Sequence, residues 1–67
     1  MNIINQTLID NGDGTSTLPF SVTDKGYTLN DAIVGNNDYI NSLTSDEILA
    51  IQQQRFTNWI AVLNGTN

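Results

Sequence analysis

Leu18-Pro19-Phe20-Ser21-Val22-Thr23 sets three large apolar side chains, Leu18, Phe20 and Val22, at alternate positions, with Pro19, Ser21 and Thr23 between them. A period of two sends the first set to one face of an extended chain and the second set to the other, so the stretch reads as a half-buried strand. Pro19 has no N–H to give to a ladder, and its outward side belongs at an edge or a bulge. Turn chemistry flanks the strand on both sides. Upstream, Asn11-Gly12-Asp13-Gly14 offers two glycines and two Asx residues that take the positive φ angles of a tight hairpin, joining the strand to an earlier run, Gln6-Thr7-Leu8-Ile9-Asp10. Downstream, Asp24-Lys25-Gly26 is a second turn. Tyr27 and Leu29 then resume the alternation, which runs to Ala32-Ile33-Val34 and stops at Gly35-Asn36. Residues 1–35 therefore read as a three-stranded antiparallel β-meander.

Beyond this point the pattern turns helical. Asn37-Asp38-Tyr39-Ile40-Asn41-Ser42 reads as a short helical turn, and Thr44-Ser45-Asp46-Glu47 is an S/T-x-x-E capping box that also puts two acids at the positive end of a helix dipole. Leu43 and Ile48 have the spacing of a hydrophobic staple. Gly65, after Asn64, is the left-handed residue that ends such a helix, which bounds it to about residues 45–63, roughly 28 Å of helix. At 100° per residue Ile48, Leu49, Ile51, Phe56, Trp59, Ile60, Val62 and Leu63 fill about half of the wheel, a stripe wide enough to cover a sheet. The 67 residues are thus expected to form one α+β domain, a meander over 1–35 packed against a helical part over 37–64. Its core should hold Leu18, Phe20, Val22, Leu29, Ile33, Ile48, Phe56, Trp59, Ile60 and Leu63, with Thr44, Glu47 and Gly65 capping the long helix.

Composition removes several kinds of function. The chain has no Cys and no His, so thiolate zinc sites, disulfides, redox chemistry and the usual general base are excluded. Lys25 and Arg55 are its only cations against seven acids, a net charge of −5, whereas phosphate binding needs clustered positive charge. No nucleic-acid partner is expected. The apolar runs are far shorter than the roughly 20 residues that span a bilayer, and no basic segment precedes an apolar one at the start, so neither a membrane anchor nor a signal peptide is expected. Charged residues make up only 13% of the chain, while Asn, Thr, Ser and Gln supply 26 of the 67 residues. Such a polar, uncharged surface reflects either a coding bias toward Asn or a surface buried against other subunits, where charge is costly to desolvate.

The acids sit in turns and at a helix start, where solvation and capping occupy them; no pair is placed to converge on a pocket, so no catalytic residue and no cofactor is expected. Asp10-Asn11-Gly12-Asp13-Gly14-Thr15 has the oxygen-rich look of a calcium loop, but its spacing differs from the D-x-[DN]-x-[DN]-G-x5-E pattern and no distal Glu closes it, which leaves a β-turn and no metal. Two helical residues resist a packing rule: Gln52, in the middle of the apolar arc, and Arg55, on its flank. Arg55 can lay its stem along Phe56 and Trp59 and reach Asp31 or Asp24, or it can face a partner together with Trp59. The residues expected to touch a partner are Pro19, Tyr27, Tyr39, Arg55, Asn64 and the tail after Leu63.

Tyr27-Thr28-Leu29-Asn30-Asp31-Ala32-Ile33-Val34, then Tyr39, Leu43-Thr44-Ser45-Asp46-Glu47-Ile48 and Gln52-Gln53-Gln54-Arg55-Phe56-x-x-Trp59 resemble small proteins of tailed phages, which carry a short β segment followed by L-T-x-E-E-I…Q-x-R-F-x-x-W. The resemblance covers about half of the chain and leaves out the amino-terminal hairpin. It implies a phage origin, synthesis in the cytoplasm of a bacterial host and a place in the virion, and it brings no catalytic residues with it. Together with the small size and neutral surface, it makes the expected function that of a non-enzymatic virion accessory protein, a capsid decoration or tail-associated subunit that docks on a larger virion protein or on further copies of itself. The competing expectation is an acidic regulatory protein that binds and inhibits a host factor by presenting carboxylates to a basic site.

Overall fold

The computed structural model describes residues 1–65 and has an antiparallel sheet followed by two helices. Four strands, β1 (Asn2–Asn5), β2 (Ile9–Asp10), β3 (Thr15–Asp24) and β4 (Tyr27–Asn36), precede α1 (Asn37–Ser42) and α2 (Ser45–Leu63). β3 is the spine. β4 pairs with it along its whole length, Thr15 with Asn36 through Asp24 with Tyr27, while β1 and β2 lie one after the other along its opposite side. The first row of the expected meander is therefore present but broken in two, and it starts earlier than the run Gln6–Asp10 that alternation suggested.

The break has a cause in Pro19. Asn5 faces Phe20 and Ile9 faces Thr17, so the first row spends four steps where β3 spends three, and one extra residue bulges out between β1 and β2. At that point the Gln6 N–H donates to the Pro19 carbonyl at 2.9 Å, and an unbroken antiparallel ladder would return an N–H from position 19 to Gln6. Proline has none to return. Pro19 thus sits in the central strand instead of at an edge, and the ladder opens beside it.

Both turns use left-handed backbone. Gly12 and Gly14 have φ of 81° and 87° in the first, and Lys25 and Gly26 have φ of 51° and 83° in the second. Two consecutive positive φ angles between paired Asp24 and Tyr27 make the second a two-residue hairpin whose twist matches that of the strands.

Side chains that face each other across the ladder share a face. Ser16, Phe20 and Val22 of β3 and Ile33 of β4 are buried on the inner face, with Leu18, Leu29 and Ile3 partly buried beside them. α2 lies over this face through Phe56, with Ile48, Ile51, Trp59 and Ile60 packed around it. Phe56 and Trp59 have ring centroids 5.8 Å apart, and Tyr27 meets Trp59 edge-on at 6.2 Å. Ile60 is the last α2 residue packed against the core. Leu63, expected inside, is 51% exposed and lies outside the core cluster, because the end of α2 meets the β3–β4 turn across an open groove and not across packed apolar surface. Ile40 of α1, not expected in the core, is buried in it at the other end of β4, near Gly35.

The caps follow the sequence. The Thr44 hydroxyl accepts from Glu47 N and the Glu47 carboxylate accepts from Thr44 N, the reciprocal pair of a capping box; Gly65 closes α2 with a φ of 69° and an N–H bonded to the Val62 carbonyl. Asn36 caps α1 by accepting from Tyr39 N, and the buried Ser16 hydroxyl donates to the Asn37 side chain, tying α1 to the spine of the sheet.

Candidate interaction surface

The acids of the first turn are held by their own neighbours. Among the described residues no three acids come together as metal ligands would, and the Asp10–Thr15 turn uses its carboxylates internally. Asp10 accepts from Gly12 N at 2.9 Å, and Asp13 accepts from the amide and hydroxyl of Thr15. The Thr15 hydroxyl, with its amide second, holds the Asp13 carboxyl below the usual aspartate range. Asn11 adds side-chain bonds to Thr15 and Thr17.

The sheet face away from α2 is a different matter. The register places Asn2, Ile4, Ile9, Thr15, Thr17, Pro19, Ser21, Thr23, Thr28, Asn30, Ala32, Val34 and Asn36 on it, and none of them is charged. Ile4, Ile9 and Val34 are 55%, 49% and 60% exposed on this face, with Leu8 exposed at the bulge beside it. Every acid of the chain lies elsewhere: on the inner face, in the turns or on the helices.

Gln52 and Arg55, which no packing rule placed, grip the two margins of the sheet from above. Asn5 of β1, Phe20 of β3 and Asp31 of β4 form one cross-strand row. Gln52, almost fully buried, donates to the Asn5 side chain at one end of that row. Arg55 reaches Asp31 at the other end, its Nη1 lying 3.0 Å from Oδ2. Arg55 also donates to the Ala32 carbonyl at 2.9 Å, and the Asp31 carboxylate accepts from Ala32 N at 2.8 Å. Of the two routes open to Arg55 in the sequence, the structure takes the one to Asp31.

The five residues expected to meet a partner do not form one patch. Pro19 is half-buried on the outer face. Tyr27 and Asn64 line an open groove of about 370 Å³ between the end of α2 and the β3–β4 turn, where Asp24 meets the Met1 amino group at 3.5 Å. Tyr39 lies beyond the far end of β4, 47% exposed, its ring over Gly35, where a Cβ would come within 2.8 Å of it. Arg55 is engaged at the β4 margin, and Thr66 and Asn67, part of the expected contact tail, lie outside the described residues. The exposed Ile4, Leu8 and Ile9 were missed by sequence reasoning, since adjacent Ile3-Ile4 and Leu8-Ile9 pairs show no alternation from which to assign a face. Among the described residues no helix is long and apolar enough to cross a membrane.

Compared with protein families, curated proteins and solved structures, the chain finds no match.

Proposed function

We propose that this chain is a non-enzymatic accessory subunit of a tailed-phage virion that works by docking its uncovered sheet face on a larger capsid or tail protein. The observation that carries the reading is the charge-free outer face with Ile4, Ile9 and Val34 exposed on a chain of net charge −5. Burying a surface without charges incurs no ionic desolvation, while the acids on the other side stay in water. The resemblance of Arg55-Phe56-x-x-Trp59 and its capped helix to phage proteins supports the setting.

The test is quantitative mass spectrometry of purified particles of the encoding phage, counting this chain against the major capsid protein. A fixed ratio is expected, and its size separates capsid-wide decoration from a few copies at the tail. Abundance in infected cells with absence from particles would overturn the reading and leave the acidic inhibitor of a host factor in its place.

A further inference from the structure

The sheet has two free margins, and they are built differently. The first-row margin is short-stranded and interrupted by the bulge beside Pro19, which blunts it against strand addition. β4 is ten residues of regular strand with no proline, no lysine and no bulge, the kind of margin on which another strand can pair. Its outward groups follow from the ladder. Asn37 N donates to the Gly14 carbonyl, so odd-numbered residues of β4 turn their backbone groups to β3, and Thr28, Asn30, Ala32, Val34 and Asn36 turn theirs outward. All five are uncharged. Only Ala32 has both outward groups occupied, its N–H by Asp31 and its carbonyl by Arg55.

We infer that β4 is the self-association margin of this chain, that its occupant is β4 of a second copy, and that the Asp31–Arg55 pair is the latch that restrains it. A two-fold axis through Ala32 sets Ala32 against Ala32 and Asn30 against Val34, so their outward N–H and C=O groups meet in register, while Thr28 falls against Asn36, whose carbonyl already serves α1 as its N-cap. The neighbouring register, centred one residue earlier, sets Asp31 against Asp31 and is disfavoured by like charge. Charge complementarity favours the same arrangement at its ends. It carries the Lys25-Gly26 turn of one copy alongside the start of α1 in the other, where Asp38 stands, and Lys25 makes no ion pair within its own chain among the described residues. Arg55, reaching over the β4 margin to Ala32, stands in the path of the incoming strand, so pairing requires it to let go.

This contact is made by the backbone of β4, whose side chains Thr28, Asn30, Ala32, Val34 and Asn36 border the outer face assigned to docking, and it holds whether or not the chain enters a virion. The test is sedimentation velocity over a range of concentrations on the full chain, with circular dichroism to check folding. Arg55→Met keeps an unbranched aliphatic stem at this position and removes both latch bonds. It should dimerise at about tenfold lower concentration than the wild type, a change of about 1.4 kcal/mol in association. Adding Val34→Lys to that variant, a charge on the margin and off the core, should return it to monomer. A folded Arg55→Met chain that associates no more readily than the wild type overturns the inference and leaves the margin to a strand of another protein; a dimer indifferent to Val34→Lys overturns it too. Should Arg55→Met fail to fold, amide exchange on the wild type decides. Protection of the Thr28, Asn30 and Val34 amides should rise with protein concentration, and exchange rates independent of concentration at all three overturn the inference.

Discussion

Gln52 shows how one polar residue can fix the seat of a helix. A glutamine in the middle of an apolar stripe is costly unless its amide is satisfied, and here the Asn5 side chain accepts from it while the chain around it excludes water. Among the described residues no buried side-chain nitrogen or oxygen lacks a partner. Gln52→Ala should cost about 2–3 kcal/mol in urea unfolding, from lost packing and a lost bond together. Gln52→Leu fills the same space and leaves Asn5, which is exposed, to be hydrated, so it should cost under about 1 kcal/mol. Equal losses for the two variants would mean that the hydrogen bond outweighs the packing. The sequence singled out Gln52 and Arg55 as out of place, because helical periodicity marks a polar residue inside an arc. It offered Asp31 or Asp24 to Arg55 and could not give Gln52 its partner, since Asn5 is brought beneath it only by the register of β1, a strand with no alternation to announce it.

The elements differ in how much of each was legible, and the differences are physical. β3, both turns and α2 carry local signals: alternation, positive-φ residues, and a capping box with a terminal glycine. β1 carries none, because Asn2-Ile3-Ile4-Asn5 puts one isoleucine on each face and so hides its period. The turns yield two predictions of their own. Lys25 holds a φ of 51°, a conformation costly for a residue with a Cβ and tolerated by asparagine. Lys25→Asn should therefore raise stability by about 0.5–1 kcal/mol, read as a shift of the thermal midpoint; a fall would show that the lysine makes a contact that outweighs its backbone strain. In the other turn, the depressed pKa of Asp13 has a definite sign. The folded state favours the carboxylate, so its contribution is fully present above the unfolded-state pKa and is lost as pH falls through the lower folded-state value. A carboxyl chemical-shift titration should place Asp13 below the ordinary aspartate value, and Thr15→Val should move it back up, since the hydroxyl is the larger cause.

At the scale of the whole molecule, one helix covers one face of a three-row sheet, and the other face is left to its surroundings. A chain of 67 residues carries a single small core and little stability to spare, so its inner and outer apolar residues should behave in opposite ways. Phe56, Trp59 and Ile33 lie where truncation removes packing around one cluster, and Trp59→Ala should cost roughly 3 kcal/mol or more. Ile4 and Ile9 touch no core, and a charge placed on either meets water. The double substitution Ile4→Lys with Ile9→Lys should leave the unfolding free energy within about 0.5 kcal/mol of the wild type. On a surface used for docking, the same two charges would have to be stripped of water and left unpaired, so the folded double variant should fail to co-sediment with particles that retain the wild-type chain. Retention of the double variant at wild-type occupancy would show that the outer face is not the docking surface, and would move the search to the groove that Tyr27 and Asn64 share at the end of α2.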